Sequence, residues 1–136
     1  STNEMYFVVQ LPHAWKEGTT IYPHIHWISG GQDPVAGQQP KWGLEYAWFN
    51  IGEDLPTYST IYSTSHVPNE TIQKYRQYLS PLGSGIVGTD MKISSMLVCR
   101  IFRDGGNDNY ADDAGALEVD FHYEIDSAGS RTDFTK

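Results

Sequence analysis

The sequence predicts an all-β protein, an antiparallel β-sandwich of jelly-roll type with six to eight strands and at most one short helix. Three observations carry this expectation. Apolar and polar residues alternate with a period of two in segment after segment, which turns one face of each toward a core. The segments are separated by clusters of Gly, Pro, Asn and Asp, which favour turns. Aromatic side chains, which suit a pleated surface, are dense: four Trp, nine Tyr and five Phe.

The first strand is residues 5–11, Met-Tyr-Phe-Val-Val-Gln-Leu, stopped by Pro12 because proline donates no ladder hydrogen bond. Residues 12–18 form a turn. The second strand, 20–29, sets Pro23, Ile25 and Trp27 on one face and Tyr22, His24 and His26 on the other. A polar loop over 30–40 leads to a third strand, 41–51, with Trp42, Leu44, Tyr46 and Trp48 facing the core. After a turn at 52–56, residues 57–67 are rich in Tyr, Ser, Thr and Ile and read as one strand or two short ones. The helical candidate is 69–79, where Pro68 precedes a first turn bearing Glu70, and Ile72, Tyr75, Tyr78 and Leu79 approximate a helical stripe. Residues 80–89 form a loop around Ile86 and Val87. The next strand, 91–103, has Ile93, Leu97, Cys99 and Ile101 on one face and Lys92, Met96, Val98, Arg100 and Phe102 on the other. Both faces are partly apolar, as expected for a strand covered on each side by protein. An acidic, Gly-rich loop over 104–115 precedes the last strand, 116–126. There Leu117, Val119, Phe121, Tyr123 and Ile125 face in, and Glu118, Asp120, His122, Glu124 and Asp126 face out.

A chain of 136 residues makes one domain, 1–136, that buries roughly two-thirds of the surface its unfolded form exposes. The start at Ser1-Thr2-Asn3, without methionine, suits the C-terminal or excised part of a longer polypeptide. With 17 acidic and 9 basic residues, the net charge of −8 argues against a nucleic-acid partner, since phosphate contacts need clustered Lys and Arg. No apolar run approaches the roughly twenty residues of a membrane helix, so no membrane partner is expected. Cys99 is the single cysteine and lies among apolar neighbours, as a buried thiol would.

Several groupings bear on chemistry. His24 and His26, at i and i+2 on a strand, point the same way and can chelate one divalent ion. With Gly18 they match the first half of the first cupin motif, a metal-binding jelly-roll pattern. The match then fails: residues 27–32 contain no carboxylate, and the second motif is absent. His66 or His122 would supply a third ligand only by coincidence of folding. The two imidazoles are therefore read as strand residues satisfied by carboxylates or tyrosines, and no metal or cofactor is expected. The acidic face Glu118, Asp120, His122, Glu124, Asp126 needs compensation, because like charges at i and i+2 repel. Arg100 faces Asp120 if the last two strands form a hairpin. In a jelly roll the acidic strand instead neighbours His24 and His26. The preferred source is a symmetry-related copy, which makes Arg100, Asp120, His122 and Glu124 candidate oligomer or intersheet contacts. The stretch from Asp104 to Asp113 suggests a calcium loop but lacks the EF-hand oxygen ligand at position three, the Gly at six and the Glu at twelve. A looser cation site there stays open beside a solvated acidic turn. No Gly-x-Ser-x-Gly elbow is present. Asn69-Glu70-Thr71 is a glycosylation sequon. Trp15 and Tyr110, in loops, are candidate ligand contacts for a glycan-binding platform.

Three segments together resemble structural proteins of tailed bacteriophages. They are Leu-Pro-His-Ala-Trp-Lys-Glu-Gly-Thr at 11–19 with Pro-His-Ile-His-Trp at 23–27; Arg-Ile-Phe-Arg-Asp-Gly at 100–105 with Tyr-Ala-Asp-Asp-Ala at 110–114; and residues 117–131 from Leu117 to Arg131. The resemblance spans nearly the whole chain and is more specific at its ends. It implies a virion component, a trimeric β-sandwich module that decorates a capsid or forms the head of a fibre and contacts other virion proteins. It brings no catalytic residue and no cofactor, so a non-enzymatic role is expected. Two rivals stand beside it: a fibre tip that binds a host receptor or surface glycan, and a cupin-like metalloprotein using His24 and His26.

Overall fold

The computed structural model describes residues 3–64 and 71–136. Seven strands run in chain order: β1 (Glu4–Gln10), β2 (Tyr22–Ser29), β3 (Trp42–Phe49), β4 (Ser59–Tyr62), β5 (Gln77–Pro81), β6 (Met96–Arg103) and β7 (Ala114–His122). They form two antiparallel sheets, one ordered β1-β6-β3-β4 and the other β5-β2-β7. The fold class is the antiparallel β-sandwich that the alternation predicts. The pair β3–β6 in one sheet nests inside β2–β7 in the other, which is the jelly-roll wrapping. β4 adds to β3 and β5 to β2, and the ends of β4 and β5 meet in the isolated bridge between Ser63 and Leu82.

The period-two pattern sets the core. Leu97, Cys99 and Ile101 of β6 register against Trp48, Tyr46 and Leu44 of β3, and all face the opposite sheet. Ile25 and Trp27 of β2 face them, with Tyr78 of β5. Connecting segments supply Leu11, Trp15, Ile21, Ile72, Leu82 and Ile86. Each large apolar side chain so buried stabilises the fold by about 1.5–3 kcal/mol. Trp27 stacks on Tyr78 with centroids 4.9 Å apart, and Trp15 packs against Trp48 at 5.6 Å. Two buried indoles donate to serines, Trp27 Nε1 to Ser80 Oγ at 3.0 Å and Trp48 Nε1 to Ser95 Oγ at 2.9 Å. The indole N–H groups of Trp15 and Trp42 are buried without an acceptor, a cost of about 1–3 kcal/mol each that their packing offsets.

Three expectations are corrected. No helix forms over 71–79: residues 71–76 are irregular, with Tyr75 at φ 50°, and Gln77, Tyr78 and Leu79 open β5. Positions 69 and 70, including the sequon asparagine, lie outside the described residues, as does the end of the 57–67 segment. The helical stripe loses because Tyr78 and Ser80 alternate inward as a strand registered on Trp27 and Ile25. The last strand starts and ends earlier than its pattern predicts and contains a β-bulge. His26 registers with Glu118 but Trp27 with Ala116, so Leu117 is the extra residue and is 54% exposed. The bulge switches parity, and Ala114 and Ala116 before it and Val119 and Phe121 after it all pack on the core. Tyr123 and Ile125, beyond the strand, are exposed. Finally, β6 is covered on one side only. Met96, Val98, Arg100 and Phe102 lie on the outer face of its sheet, half-buried.

Candidate functional site

On β2 the sequence places His24 and His26 on the face opposite Ile25 and Trp27, away from the core. β2 is the middle strand of its sheet, so neighbours flank that face on both sides. β7 brings Asp120 opposite His24, and β5 brings Leu79 and Pro81 opposite His26 and His24. His24 Nε2 lies 2.6 Å from Asp120 Oδ1, and His26 Nε2 lies 3.8 Å from Asp120 Oδ2. His26 Nδ1 is 3.0 Å from the side-chain amide of Gln77 on β5. His122 stands edge-on to His24 with ring centroids 4.5 Å apart.

Despite its position on an outer face, His24 is buried, whereas His26 and Asp120 are half-buried. A groove lined by Tyr22, His24, Leu79, Pro81 and His122 opens beside it. The wall of the groove depends on Gly85, whose φ is +115° and where a Cβ would lie 2.6 Å from Thr20 Cγ2 and 3.0 Å from the Tyr22 ring. Asp120 Oδ1 is buried and has no hydrogen-bond donor although it touches the His24 imidazole. The 2.6 Å contact therefore lacks hydrogen-bond alignment. Among the described residues, His24, His26 and Asp120 are the group whose ligand atoms converge, all within 4.8 Å of one another.

Of the two in-chain pairings open for the acidic strand, the structure adopts the one with the histidine strand. Arg100 is on the other sheet and does not meet Asp120. It donates to Glu45 at 3.1 and 3.3 Å and to Glu4 at 2.6 Å, and its guanidinium lies over the Phe102 ring at 4.5 Å. The Glu45 and Glu4 carboxylates raise Arg100 above its ordinary pKa, and Arg100 with the Tyr6 hydroxyl lowers that of Glu4. The acidic residues also find partners within the chain: Glu124 pairs with Lys16 at 3.3 Å and Asp126 with Lys136. A second copy is not needed to neutralise Glu124 or Asp126. His122 is exposed at the end of β7.

Of the two candidate ligand contacts, Trp15 is corrected. Trp15 is 0% exposed and forms part of the core against Trp48, so it offers no surface to a glycan. Tyr110 is half-buried, packed edge-on against Trp27 at 6.1 Å and beneath the Arg103 guanidinium at 5.5 Å. The acidic loop after β6 uses its carboxylates internally. Asp108 binds Arg103, Asp104 binds Lys41 at 3.2 Å, and Asp112 accepts from the Gln32 amide at 2.7 Å. These carboxylates do not converge on a cation position.

Sequence reasoning placed His24 and His26 on one face and gave the acidic strand as their neighbour in a jelly roll, but it did not single out Asp120 within that strand and missed Gln77. The cupin pattern seeks its carboxylate shortly after the second histidine. Here a carboxylate arrives across the sheet, from a strand about one hundred positions away in sequence. The alternation of β7 was the available signal, since it puts Asp120 on the outer face. His66, the other third-ligand candidate, lies outside the described residues.

The outer face of the sheet β1-β6-β3-β4 is the second feature. Tyr6 and Val8 of the edge strand β1 are 70% and 61% exposed there, Tyr62 of β4 is exposed, and Phe102 and Val98 lie between them around the Arg100 ion pairs. Phe102 folds over Gly43, the residue opposite it on β3; a Cβ on Gly43 would lie 2.3 Å from that ring. No model of a known protein family, no curated protein and no solved structure matches this chain.

Proposed function

We propose that the chain is a non-enzymatic structural module of a phage virion, a capsid decoration or fibre-head domain that acts by trimeric assembly and by contacts with other virion proteins. In the sequence, the reading rests on the resemblance of the three segments quoted above to tailed-bacteriophage structural proteins. In the fold, one observation supports it: the outer face of the sheet β1-β6-β3-β4 presents Tyr6, Val8 and Tyr62 to solvent around Arg100, which is already paired with Glu4 and Glu45. A copy laid against this face buries aromatic surface, the kind enriched at interfaces, and no unpaired charge. β1 is also an edge strand, and among the described residues no other strand pairs with its outer side.

Light scattering at micromolar concentration tests the proposal. The trimer mass is expected for the wild type, and a shift toward monomer for the double variant Tyr6→Glu, Val8→Glu, which changes only exposed side chains. A monomeric wild type would sink it for this chain.

A further inference from the structure

We infer that His24, His26 and Asp120 form a binding site for one divalent transition ion of the zinc class, a site that clips β2 to β7 and is independent of the assembly role. The imidazole Nε2 of His24 and the carboxylate Oδ1 of Asp120 stand 2.6 Å apart, and the buried oxygen has no aligned N–H. A buried carboxylate oxygen left without a donor calls for a positive centre beside it. The second separation, 3.8 Å from His26 Nε2 to Asp120 Oδ2, leaves room for an ion rather than a direct hydrogen bond. Neighbouring ligands on one ion stand roughly 3–3.5 Å apart when the bonds are about 2.0–2.2 Å, so on binding Asp120 Oδ1 draws away from His24 while the converging atoms, now within 4.8 Å of one another, close around the ion.

The donor set decides the ion class. Two imidazoles with one carboxylate select zinc, cobalt, nickel or ferrous ions over calcium and magnesium, which prefer oxygen alone. The strand supplies the orientation, because imidazoles at i and i+2 of β2 share a face and Asp120 is fixed by the β2–β7 register. Gln77 supplies the outer support: its amide nitrogen stands 3.0 Å from His26 Nδ1, and turning the amide by 180° brings its oxygen to the same place, where it accepts the ring proton and leaves Nε2 bare for the ion. The groove bordered by Tyr22, Pro81 and His122 opens on His24, and the half-buried His26 and Asp120 leave the ion an approach from solvent.

The test uses the full chain without a histidine tag, freed of metal by EDTA and dialysis. It is titrated with zinc chloride by calorimetry and with cobalt chloride by visible absorption. One ion per chain is expected, with d–d bands for the cobalt form and a higher thermal midpoint in excess zinc. His26→Ala and Asp120→Asn, both half-buried positions, should lose at least roughly tenfold in affinity with unchanged circular dichroism. Gln77→Ala should lose about tenfold, and Glu124→Gln, outside the trio, should bind as the wild type does. Absence of heat and of cobalt bands in folded wild-type protein overturns the inference, because a proton then bridges His24 and Asp120. Binding that survives both His26→Ala and Asp120→Asn overturns it equally.

Discussion

Arg103 holds Asp108 in a two-pronged grip, Nε to Oδ2 at 2.7 Å and Nη2 to Oδ1 at 3.2 Å, with the Asp108 side chain only 3% exposed. The same carboxylate accepts the backbone N–H groups of Lys41 at 3.2 Å and Tyr110 at 3.1 Å, while Arg103 also donates to the carbonyls of Asp112 and Tyr110. A loop of mostly small and acidic residues is thereby fixed to the end of β6. What resembles a cation loop in sequence is organised by an arginine.

Asp108→Asn should therefore cost about 3 kcal/mol in urea unfolding, since it leaves Arg103 without its countercharge. The pH dependence carries a second signature. Burial raises the Asp108 pKa, but Arg103 and the Lys41 and Tyr110 amides outweigh it, and the net shift is downward. A carboxyl lowered in the folded state contributes stability that is present above its unfolded value, about 3.9. That contribution is lost as pH falls through the lower folded value. Wild-type stability should thus drop more steeply than that of Asp108→Asn below about pH 4, and parallel acid curves would contradict this account.

Cys99 offers a chemical probe of opening. Burial pushes its thiol up to about 12, and the side chain sits on the inner face of β6. At pH 8 the folded protein should not react with a thiol-disulfide reagent over minutes, whereas the urea-unfolded chain should react at once. Rapid labelling of the native state would place Cys99 outside the core.

Trp27 joins the two sheets, stacked on Tyr78 and tilted toward Trp42 with centroids 6.4 Å apart. Trp27→Ala should cost about 3–5 kcal/mol. Trp27→Phe keeps a ring but leaves Ser80 Oγ without the indole donor, and should cost about 1–3 kcal/mol. A loss for Trp27→Phe well below about 1 kcal/mol, measured by denaturant unfolding, would show that the hydrogen bond contributes little.

The bulge in β7 separates two residues that look alike in the sequence. Leu117→Lys should change stability by less than about 0.5 kcal/mol, as expected at an exposed position. Val119→Lys, two residues on and facing the core, should cost several times more, on the order of 3 kcal/mol, by placing a charge in apolar surroundings. Comparable losses would mean that the bulge is misplaced.

These contrasts mark what the sequence could and could not say. Period-two alternation located the inner faces of β2, β3 and β6, because Ile25, Trp27, Trp42, Leu44, Leu97 and Cys99 obey an uninterrupted pleat. It failed in β7, where one inserted residue reverses parity and pattern alone gives no sign of it. It failed at 71–79, where a spacing compatible with a helix was overruled by pairing with Trp27, a residue about fifty positions away. Trp15 looked like a surface aromatic because it lies between turn residues, but the bridge from Trp15 to Ile125 and the hydrogen bond from Lys16 N to the Glu124 carbonyl, 2.8 Å, tie that loop under the end of β7. The candidate metal site was half legible: strand parity aligns His24 with His26, whereas Asp120 joins them only once the order β5-β2-β7 is known.

The nested strand order also governs how the protein forms. Among consecutive strands, only β3 and β4 pair with each other; β1 and β3 wait for β6, and β2 waits for β7. During synthesis the N-terminal half, including Tyr6, Val8 and the tryptophans of β2 and β3, emerges before the strands that complete its sheets. Long-range pairing of this kind closes large loops before it is rewarded and gives refolding in roughly milliseconds to seconds. The edge that β1 presents to a partner in the folded protein is the same edge a growing chain exposes to its neighbours. Slow production, low temperature or a chaperone that shields the early strands should therefore raise the yield of folded protein more than any single stabilising substitution on the surface.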